Sequence, residues 1–152
     1  MKKIYIGIDP DTDKSGFAIW NPETKNLELF CLPFFKIFET LKAKKNLNHL
    51  IVIVDAGWLN KKNNFRQKYL CKKTNTYKDY TLGTKEKMSV DTGANHQTGK
   101  LLIEMCKFLG VEVKEHKPVK SKIDHETFVK ITGYTGRTNQ EKRDAGMLVF
   151  GK

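Results

Sequence analysis

The sequence predicts an α/β fold with a mixed five-stranded sheet, three antiparallel strands followed by parallel strands, and helices on both faces. Short apolar runs separated by turn residues fill the first part of the chain, which is the pattern of an antiparallel meander. After residue 33, apolar residues at helical spacing alternate with short strand-like runs, as in parallel crossovers. With 152 residues, we expect a single domain that spans residues 1–152.

The five strands are predicted from their apolar patterns. Residues 3–9 and 15–21 are apolar runs on either side of a polar turn, and residues 26–32 alternate in polarity. Residues 49–54 are a continuous run rich in β-branched side chains, as in a strand that is covered on both faces. A short strand over residues 111–115 completes the sheet.

Four helices are predicted around these strands. An amphipathic helix over residues 33–45 begins with a proline, and a second helix over about residues 94–109 has Gly110 as its stop signal. Two further helices are expected over about residues 124–131 and from residue 138 onward.

The balance of charge indicates a polyanionic partner. The chain has 28 Lys and Arg residues against 17 Asp and Glu residues, a formal net charge of +11. This excess favours a nucleic-acid partner. No apolar run is long enough to span a bilayer, so we expect no membrane partner. Three widely spaced cysteines are typical of reduced thiols, and no signal peptide is recognisable. We therefore expect a cytoplasmic protein, in the host cytoplasm if a phage encodes the chain.

Carboxylates close two of the predicted strands. Asp9 ends the first strand, and Asp55 follows the buried strand at 49–54. If these strands are neighbours, both side chains emerge at the same edge of the sheet, where sites form in α/β folds. A metal ion would offset the cost of an unpaired charge at the end of a buried strand. The alternative for Asp55 is a turn cap with Ala56 and Gly57.

The last helix carries two more acids, Glu141 and Asp144, which are three residues apart and therefore on one face. Small residues directly after Asp144 would let the helix pack closely on the sheet and bring this side chain to the strand ends. Glu141 has a second candidate role, because with Thr138 it has the spacing of a capping box. The alternative for Asp144 is an ion pair with Lys142 or Arg143 on a solvated face.

These four acids predict a metal centre. Carboxylates without a Cys or His cluster suit hard divalent cations, so we expect Mg²⁺ or Mn²⁺, two ions per site, held by Asp9, Asp55, Asp144 and Glu141. Two such ions ~3.5–4 Å apart activate a water molecule and stabilise the leaving oxygen in phosphodiester hydrolysis. Together with the basic charge, this set of ligands predicts a nuclease.

Several stretches of the chain together resemble a known family. They are Ile6-Gly7-Ile8-Asp9-Pro10 with Ser15-Gly16-Phe17-Ala18, then His96-Gln97-Thr98-Gly99, Val119-Lys120 and Arg143-Asp144-Ala145-Gly146-Met147-Leu148. In this order they are similar to the first strand motif, the central helix, the strand after it and the C-terminal helix of RuvC-type Holliday-junction resolvases. That family has the ribonuclease H-like fold. The resemblance spans essentially the whole chain and implies a metal-dependent endonuclease that resolves four-way DNA junctions as a homodimer.

The resemblance also implies individual roles. Lys120 matches a family lysine near the scissile phosphate, where it would stabilise developing negative charge, although a lone lysine is also ordinary in a basic protein. The family normally has Glu where this chain has Asp55, and Gly where it has Asp11. The two symmetric cuts of a junction need two active sites related by a two-fold axis, and the helix at 94–109 is a candidate dimer face.

Residues 60–88 form a basic insertion that makes the chain longer than the family pattern. Lysines and aromatic residues follow one another there without a clean period, which favours a long surface loop or a small subdomain. Such a surface would track a DNA backbone and stack on unpaired bases; the alternative is a merely solvated loop. The residues predicted to contact DNA are Lys61, Lys62, Arg66, Lys68, Tyr69, Lys72, Lys73, Lys117 and Lys122.

Two other functions stay open from the sequence. One is a catalytically inactive or weak DNA-binding module on the same fold, which the change to Asp55 allows and the presence of all four acids opposes. The other is a related nuclease that acts on other branched DNA or on RNA–DNA hybrids. Among the histidines, His96 and His125 are candidates for an auxiliary proton carrier.

Overall fold

The structure, a computed structural model, describes residues 2–60, 68–118 and 121–152. Its elements in chain order are β1 (Lys2–Asp9), β2 (Ser15–Asn21), β3 (Asn26–Leu32), α1 (Phe34–Lys44), β4 (Asn48–Asp55), β5 (Lys68–Cys71), β6 (Thr76–Asp79), α2 (Leu82–Phe108), β7 (Glu112–His116), α3 (His125–Thr132) and α4 (Gln140–Val149). Within these residues, no helix combines the length and the apolar character needed to cross a membrane.

The main sheet has five strands in the order β3-β2-β1-β4-β7. β1 pairs antiparallel with β2, and β2 with β3, whereas β4 pairs parallel with both β1 and β7. The predicted mixed sheet, antiparallel strands first and parallel strands after them, is therefore confirmed. The register pairs Ile8 with Val54, so that the next residues, Asp9 and Asp55, leave neighbouring strands at the same edge.

The sheet separates two apolar cores. On one face, Ile6, Ile8, Val52 and Val54 pack with side chains of α1 and α2; on the other, Ala18, Trp20 and Ile53 pack with side chains of α3 and α4. The central strands are buried on both faces, which explains why β4 reads as a continuous apolar run.

Helix α4 lies on the sheet at backbone contact distance. A Cβ atom on Gly7 of β1 would overlap the carbonyl oxygen of Ala145, and one on Gly16 of β2 would overlap the carbonyl oxygen of Glu141. Ala145 is itself fully buried. These small residues let α4 approach closely enough to carry Asp144 to the ends of the strands.

The prediction for the start of the central helix was wrong. α2 begins at Leu82 rather than near residue 94, with Thr81 as its N-cap, whose hydroxyl accepts a hydrogen bond from Thr84 N at 3.3 Å. Residues 82–93 are mostly exposed on all sides and carry no apolar stripe, so periodicity could not reveal this part of the helix.

The predicted insertion at 60–88 is partly regular structure. β5 and β6 form an antiparallel hairpin that the sequence patterns did not predict, and residues 82–88 belong to α2. Residues 61–67 lie outside the described residues. The other predicted elements agree with the structure to within about two residues, the usual scatter of element ends.

The close packing of α4 predicts the effect of one substitution. Gly7→Ala should lower the free energy of unfolding by about 1–3 kcal/mol, because the new methyl group would push backbone against backbone. The matched control is Gly93→Ala in α2, where nothing lies within 4 Å of an added Cβ. That change should instead stabilise by about 0.5–1 kcal/mol through helix propensity. Urea unfolding measures both, and equal effects at the two positions would contradict the packing.

Candidate metal centre

Asp9 and Asp55 stand side by side where β1 and β4 end. The pKa of Asp9 is raised from 3.8 to about 8, first by burial and then by the charges of Asp144 and Asp55, against the opposing charge of Lys122. The pKa of Asp55 is raised to about 6, first by burial and then by the charge of Asp144, again against Lys122. The three carboxylates therefore lie close enough to repel one another, in a setting that resists ionisation.

The turn after Asp55 is closed by backbone hydrogen bonds. Ala56 N donates to His116 O at 2.7 Å, and Leu59 N donates to Ala56 O at 3.0 Å. Neither bond uses the Asp55 carboxylate, so the turn does not depend on that side chain as a cap. The Asp55 carboxylate therefore lies at the edge of the sheet, next to Asp9.

Asp144 reaches this edge from the first half of α4. Its Oδ1 accepts a hydrogen bond from Gln140 Nε2 at 2.7 Å, and its Oδ2 accepts one from Lys122 Nζ at 2.6 Å. Arg143, one of the alternative partners, instead donates to Ile123 O and Gln140 Oε1. The Asp144 side chain is only 19% exposed, so it faces the strands and not a solvated surface.

Glu141 does not form the predicted capping box. The N-cap of α4 is Asn139, whose Oδ1 accepts a hydrogen bond from Lys142 N at 3.0 Å. Asn139 competes more effectively than Thr138 because its side chain reaches the amide of the third helical residue. Glu141 is then free of that role, and its charge contributes to the raised pKa of Asp9, less than the charges of Asp144 and Asp55 do.

Lys122 is the cation nearest to the three carboxylates in the part of the chain that the structure describes. Burial alone would lower the pKa of Lys122, but its hydrogen bond to Asp144 and the charges of Asp144, Asp9 and Asp55 outweigh that effect and raise it. The Lys122 side chain is 65% exposed, so this ion pair contributes modestly to stability. Lys120, the lysine that the family resemblance predicts to be catalytic, lies outside the described residues.

The other predicted DNA contacts in the described residues lie in the β5–β6 hairpin, except Lys117, which directly follows His116, the residue paired with Asp55. Lys68 and Tyr69 are in β5, Lys72 and Lys73 are in the turn of the β5–β6 hairpin, and Lys117 follows β7. The hairpin is largely exposed, and the rings of Tyr69 and Tyr80 stack with their centroids 5.0 Å apart. Lys61, Lys62 and Arg66 lie outside the described residues.

Two grooves flank the acids. One, of about 280 Å³, is lined by Asp55, Asp144, Lys122 and His116 among others. The other, of about 180 Å³, lies between Asp9 and Asp55 on one side and α2 on the other. A strand that crosses the carboxyl edge of the sheet would have a groove on each side of the acids.

Residues of α2 border the second groove, and no pattern in the sequence connects them with the acids. Asn95 Oδ1 accepts a hydrogen bond from Thr12 N at 3.1 Å, and Asn95 Nδ2 donates to Asp11 Oδ2 at 3.4 Å. His96 lines the groove; burial lowers its pKa, and the charge of Lys100 lowers it further. The only sequence signal was the family resemblance of the central helix, which does not say which of its faces meets the acids.

His125, the other histidine considered as a proton carrier, is placed elsewhere. Its Nδ1 lies 2.8 Å from Thr138 Oγ1, a contact that joins the start of α3 to the segment before α4. His125 therefore lies at this junction.

The donor set fits a hard divalent cation. Asp9, Asp55, Asp144 and Glu141 offer oxygen ligands only, and burial together with the neighbouring carboxylates raises the pKa values of Asp9 and Asp55 in spite of Lys122. In residues 2–60, 68–118 and 121–152, no three acidic, imidazole or thiol groups are already arranged to hold an ion. One oxygen of Asp144 is bound to Lys122 instead.

The chain is similar to known proteins in its fold and not in its sequence. No protein-family model matches the chain, and no curated protein matches its sequence. Among solved structures, RuvC from Thermus thermophilus in complex with a Holliday junction substrate matches with a TM-score of 0.53 and 14% identity, over 95% of this chain and 89% of that one. A second Thermus thermophilus RuvC structure matches with a TM-score of 0.42 and 16% identity, over 95% and 90% of the two chains. The chain thus has the ribonuclease H-like fold of RuvC.

Proposed function

We propose that the chain is a Mg²⁺- or Mn²⁺-dependent endodeoxyribonuclease that resolves four-way DNA junctions by phosphodiester hydrolysis. The observation that carries the proposal is the convergence of Asp9, Asp55 and Asp144 at one edge of a ribonuclease H-like sheet. Buried carboxylates that repel one another persist in a fold when something else compensates them, and a site of this kind is a candidate for function. The RuvC structure with a junction substrate suggests which DNA to test.

Two cations would be held by Asp9, Asp55 and Asp144, with Glu141 as a fourth ligand. When bound, they supply Lewis-acid activation of water and stabilisation of the leaving oxygen. The chain's own residues prepare the site. Gln140 holds one oxygen of Asp144, which fixes the orientation of that carboxylate. The buried strands beneath Asp9 and Asp55 exclude water from one side.

The lysines would bind the substrate. Lys122, which donates to Asp144 in the structure, would bind a phosphate at the rim of the site if Asp144 were a metal ligand. Lys120 is proposed as a second cation that stabilises developing charge on the scissile phosphate. Lys117, exposed just after β7, is proposed as a further phosphate contact.

The β5–β6 hairpin is proposed as a separate DNA contact. An isolated two-stranded hairpin is only marginally stable in water, and this one exposes basic and aromatic side chains together. Tyr77 is 73% exposed, and Lys72 and Lys73 occupy the turn. Aromatic rings beside cations suit a strand whose unpaired bases stack while its phosphates pair with lysines.

The proposed enzyme is a homodimer. An apolar surface lies between α1 and α2, where Phe35 is 78% and Phe108 is 84% exposed, with Leu101 beside them. Exposed large apolar side chains that form one patch commonly mark a protein interface. A two-fold axis near this patch would present two sites to the two strands that a four-way junction requires to be cut.

One observation favours a DNA-binding module without catalysis as the second candidate. The contact between Lys122 and Asp144 satisfies part of the acidic cluster without any metal ion. If this ion pair were the permanent partner of Asp144, the cluster would have no need of a divalent cation. The two functions differ in what added Mg²⁺ does, which the first two experiments below measure.

The first prediction concerns cleavage. With Mg²⁺ or Mn²⁺, the wild type should cut a synthetic four-way junction at paired, symmetric positions, and Asp9→Asn should slow the cut by more than about 100-fold, since even outer-shell partners of metal ligands cost about 10–100-fold. Asp13→Asn, an exposed acid in the same turn, is the matched control and should cut normally. The same cleavage assay includes duplex, flap and RNA–DNA hybrid substrates. Tight junction binding by a wild type that cleaves none of them would establish the inactive module.

The second prediction concerns stability without metal. Because the pKa of Asp9 is raised from 3.8 to about 8, the unfolded chain is ionised in this window while the folded chain keeps the proton, so the free energy of unfolding falls as pH rises from about 4 to 8. Asp9→Asn removes this loss. In EDTA at pH 8 the variant should be more stable than wild type by on the order of 1–2 kcal/mol.

Saturating Mg²⁺ should reverse that order. A ligand at about 100 times its Kd stabilises the folded state by about 2.7 kcal/mol, and the variant should gain much less because it lacks one carboxylate. Thermal unfolding with and without Mg²⁺ across this pH range measures both effects. Equal Mg²⁺ responses of wild type and Asp9→Asn would count against the metal centre.

The third prediction concerns the hairpin. Lys68 and Asp79 are paired in the ladder, so residues 69–78 can be replaced by a short Gly-Ser link without moving the start of α2. Junction affinity should fall about 10-fold, and the salt dependence of binding should weaken by about 0.7–0.9 in slope for each phosphate that the hairpin binds. Stabilisation by Mg²⁺ should not change, because the acids are elsewhere. An unchanged junction affinity would show that the hairpin is merely solvated.

A further inference from the structure

One face of α2 carries three polar side chains without negative charge beside the candidate metal centre. Thr92, His96 and Lys100 are spaced by four residues and therefore lie along one side of the helix, which we call the α2 ridge. Thr92 and His96 line the groove of about 180 Å³ whose other side is formed by Asp9 and Asp55. Lys100 is exposed one turn further along. A hydroxyl, an imidazole and an ammonium group thus follow one another past the acids.

The ring of His96 is held in place by packing against Gly57 and Trp58. A Cβ atom on Gly57 would lie 2.6 Å from His96 Nε2, so the ring occupies the space that any other side chain at position 57 would need. The Trp58 indole meets the ring edge-on, with centroids 6.1 Å apart and planes at 76°. The indole N–H of Trp58 is not directed to the imidazole, because Trp58 Nε1 donates to Glu115 Oε2 at 2.9 Å.

The α2 ridge is also fixed relative to Asp9. Asn95, next to His96 in the helix, is hydrogen bonded to Thr12 N at 3.1 Å and to Asp11 Oδ2 at 3.4 Å. Asp11 is two residues after Asp9 in the turn that leaves β1. Trp58 packs on Gly99 of the same helix, where an added Cβ would lie 2.5 Å from the indole. The helix is therefore anchored to both strand ends that carry the acids.

We propose that the α2 ridge binds the backbone of the DNA strand that is cut, with His96 donating a hydrogen bond to an oxygen of the phosphate next to the scissile one. The inference rests on the proposed nuclease function and names a substrate contact of the same site. The ridge carries no negative charge. Thr92 Oγ1 already donates to Met88 O at 2.7 Å, so His96 and Lys100 supply the donors that match a polyanion. Residues one turn apart are separated by about 6 Å along the helix, so that the ridge can contact successive phosphates.

The test separates the hydrogen bond from the packing of the ring. His96→Phe keeps an aromatic ring against Gly57 and Trp58 but has no donor, whereas His96→Gln keeps a donor and loses the ring. We expect His96→Phe to raise the KM for the junction about 10-fold with kcat nearly unchanged, because the contact is equal in the bound and transition states. His96→Gln should stay within about twofold of wild type. Gln97→Ala, an exposed neighbour on the helix, is the control.

A second arm identifies the phosphate itself. Junctions carry a single uncharged methylphosphonate on either side of the mapped cut, and Kd is measured for wild type and for His96→Phe. Removing the phosphate oxygen should weaken wild type about 10-fold at one of the two positions and should not weaken the variant further, the signature of a direct pair in a double-mutant cycle. Independent, multiplying effects at both positions would overturn the proposal, as would a loss with His96→Gln as large as with His96→Phe.

These outcomes are distinct from failure of the proposed function. If the wild type cleaves no substrate, the nuclease proposal fails, and the cycle is run on binding alone with the methylphosphonate moved through the phosphates of the branch point. Coupling at one of them would then keep the ridge as a backbone contact of a binding module. If the wild type cleaves but coupling is absent, the ridge proposal fails and the nuclease proposal stands. Melting temperatures and the Mg²⁺ response should be the same for all three His96 proteins within about 2 °C, so that a folding defect is recognised.

Discussion

The candidate site depends on the backbone contact between α4 and the first two strands. Gly7 and Gly16 present bare backbone to the carbonyl groups of Ala145 and Glu141, and no larger residue fits there. This approach forces Asp144 toward Asp9 and Asp55, against a mutual repulsion that adds to the effect of burial in raising the pKa of Asp9 to about 8. Apolar burial along α4 holds the acids together, and the unfavourable electrostatics is concentrated where a cation would be bound.

The fold could be predicted from local residue patterns because each pattern has a single structural cause. An antiparallel strand with one partly exposed face alternates between polar and apolar residues. A strand that is buried on both faces is a continuous apolar run, and the carboxyl end of a strand tolerates an acidic residue. These signals predict that Asp9 and Asp55 lie side by side, and the register of β1 with β4 places them so. The small residues after Asp144 predicted the remaining part, the close packing of α4, which in the structure also requires Gly7 and Gly16 of the strands.

The elements and contacts that the sequence did not predict have no such pattern of residues. The first half of α2 packs on no core, so no apolar stripe marks it, and the hairpin before it has the composition of a loop. The spacing of Thr138 and Glu141 predicted the wrong N-cap for α4, because Asn139 makes the bond to Lys142 N. The pairing of Lys122 with Asp144, and the position of His96 beside Gly57, join residues far apart in sequence through side-chain geometry. Spacing along the chain contains no information on such contacts.

Helix α2 connects the two surfaces proposed to bind DNA. Its middle is fastened to both acid-bearing strand ends through Asn95 and Gly99, and its first residue, Leu82, follows directly after the β5–β6 hairpin. From Leu82 to Asn95 an α-helix rises about 20 Å. Because α2 is continuous over this length, it links the end of the hairpin to the acids through one rigid element. A DNA that contacts both surfaces must therefore span the distance that this helix sets.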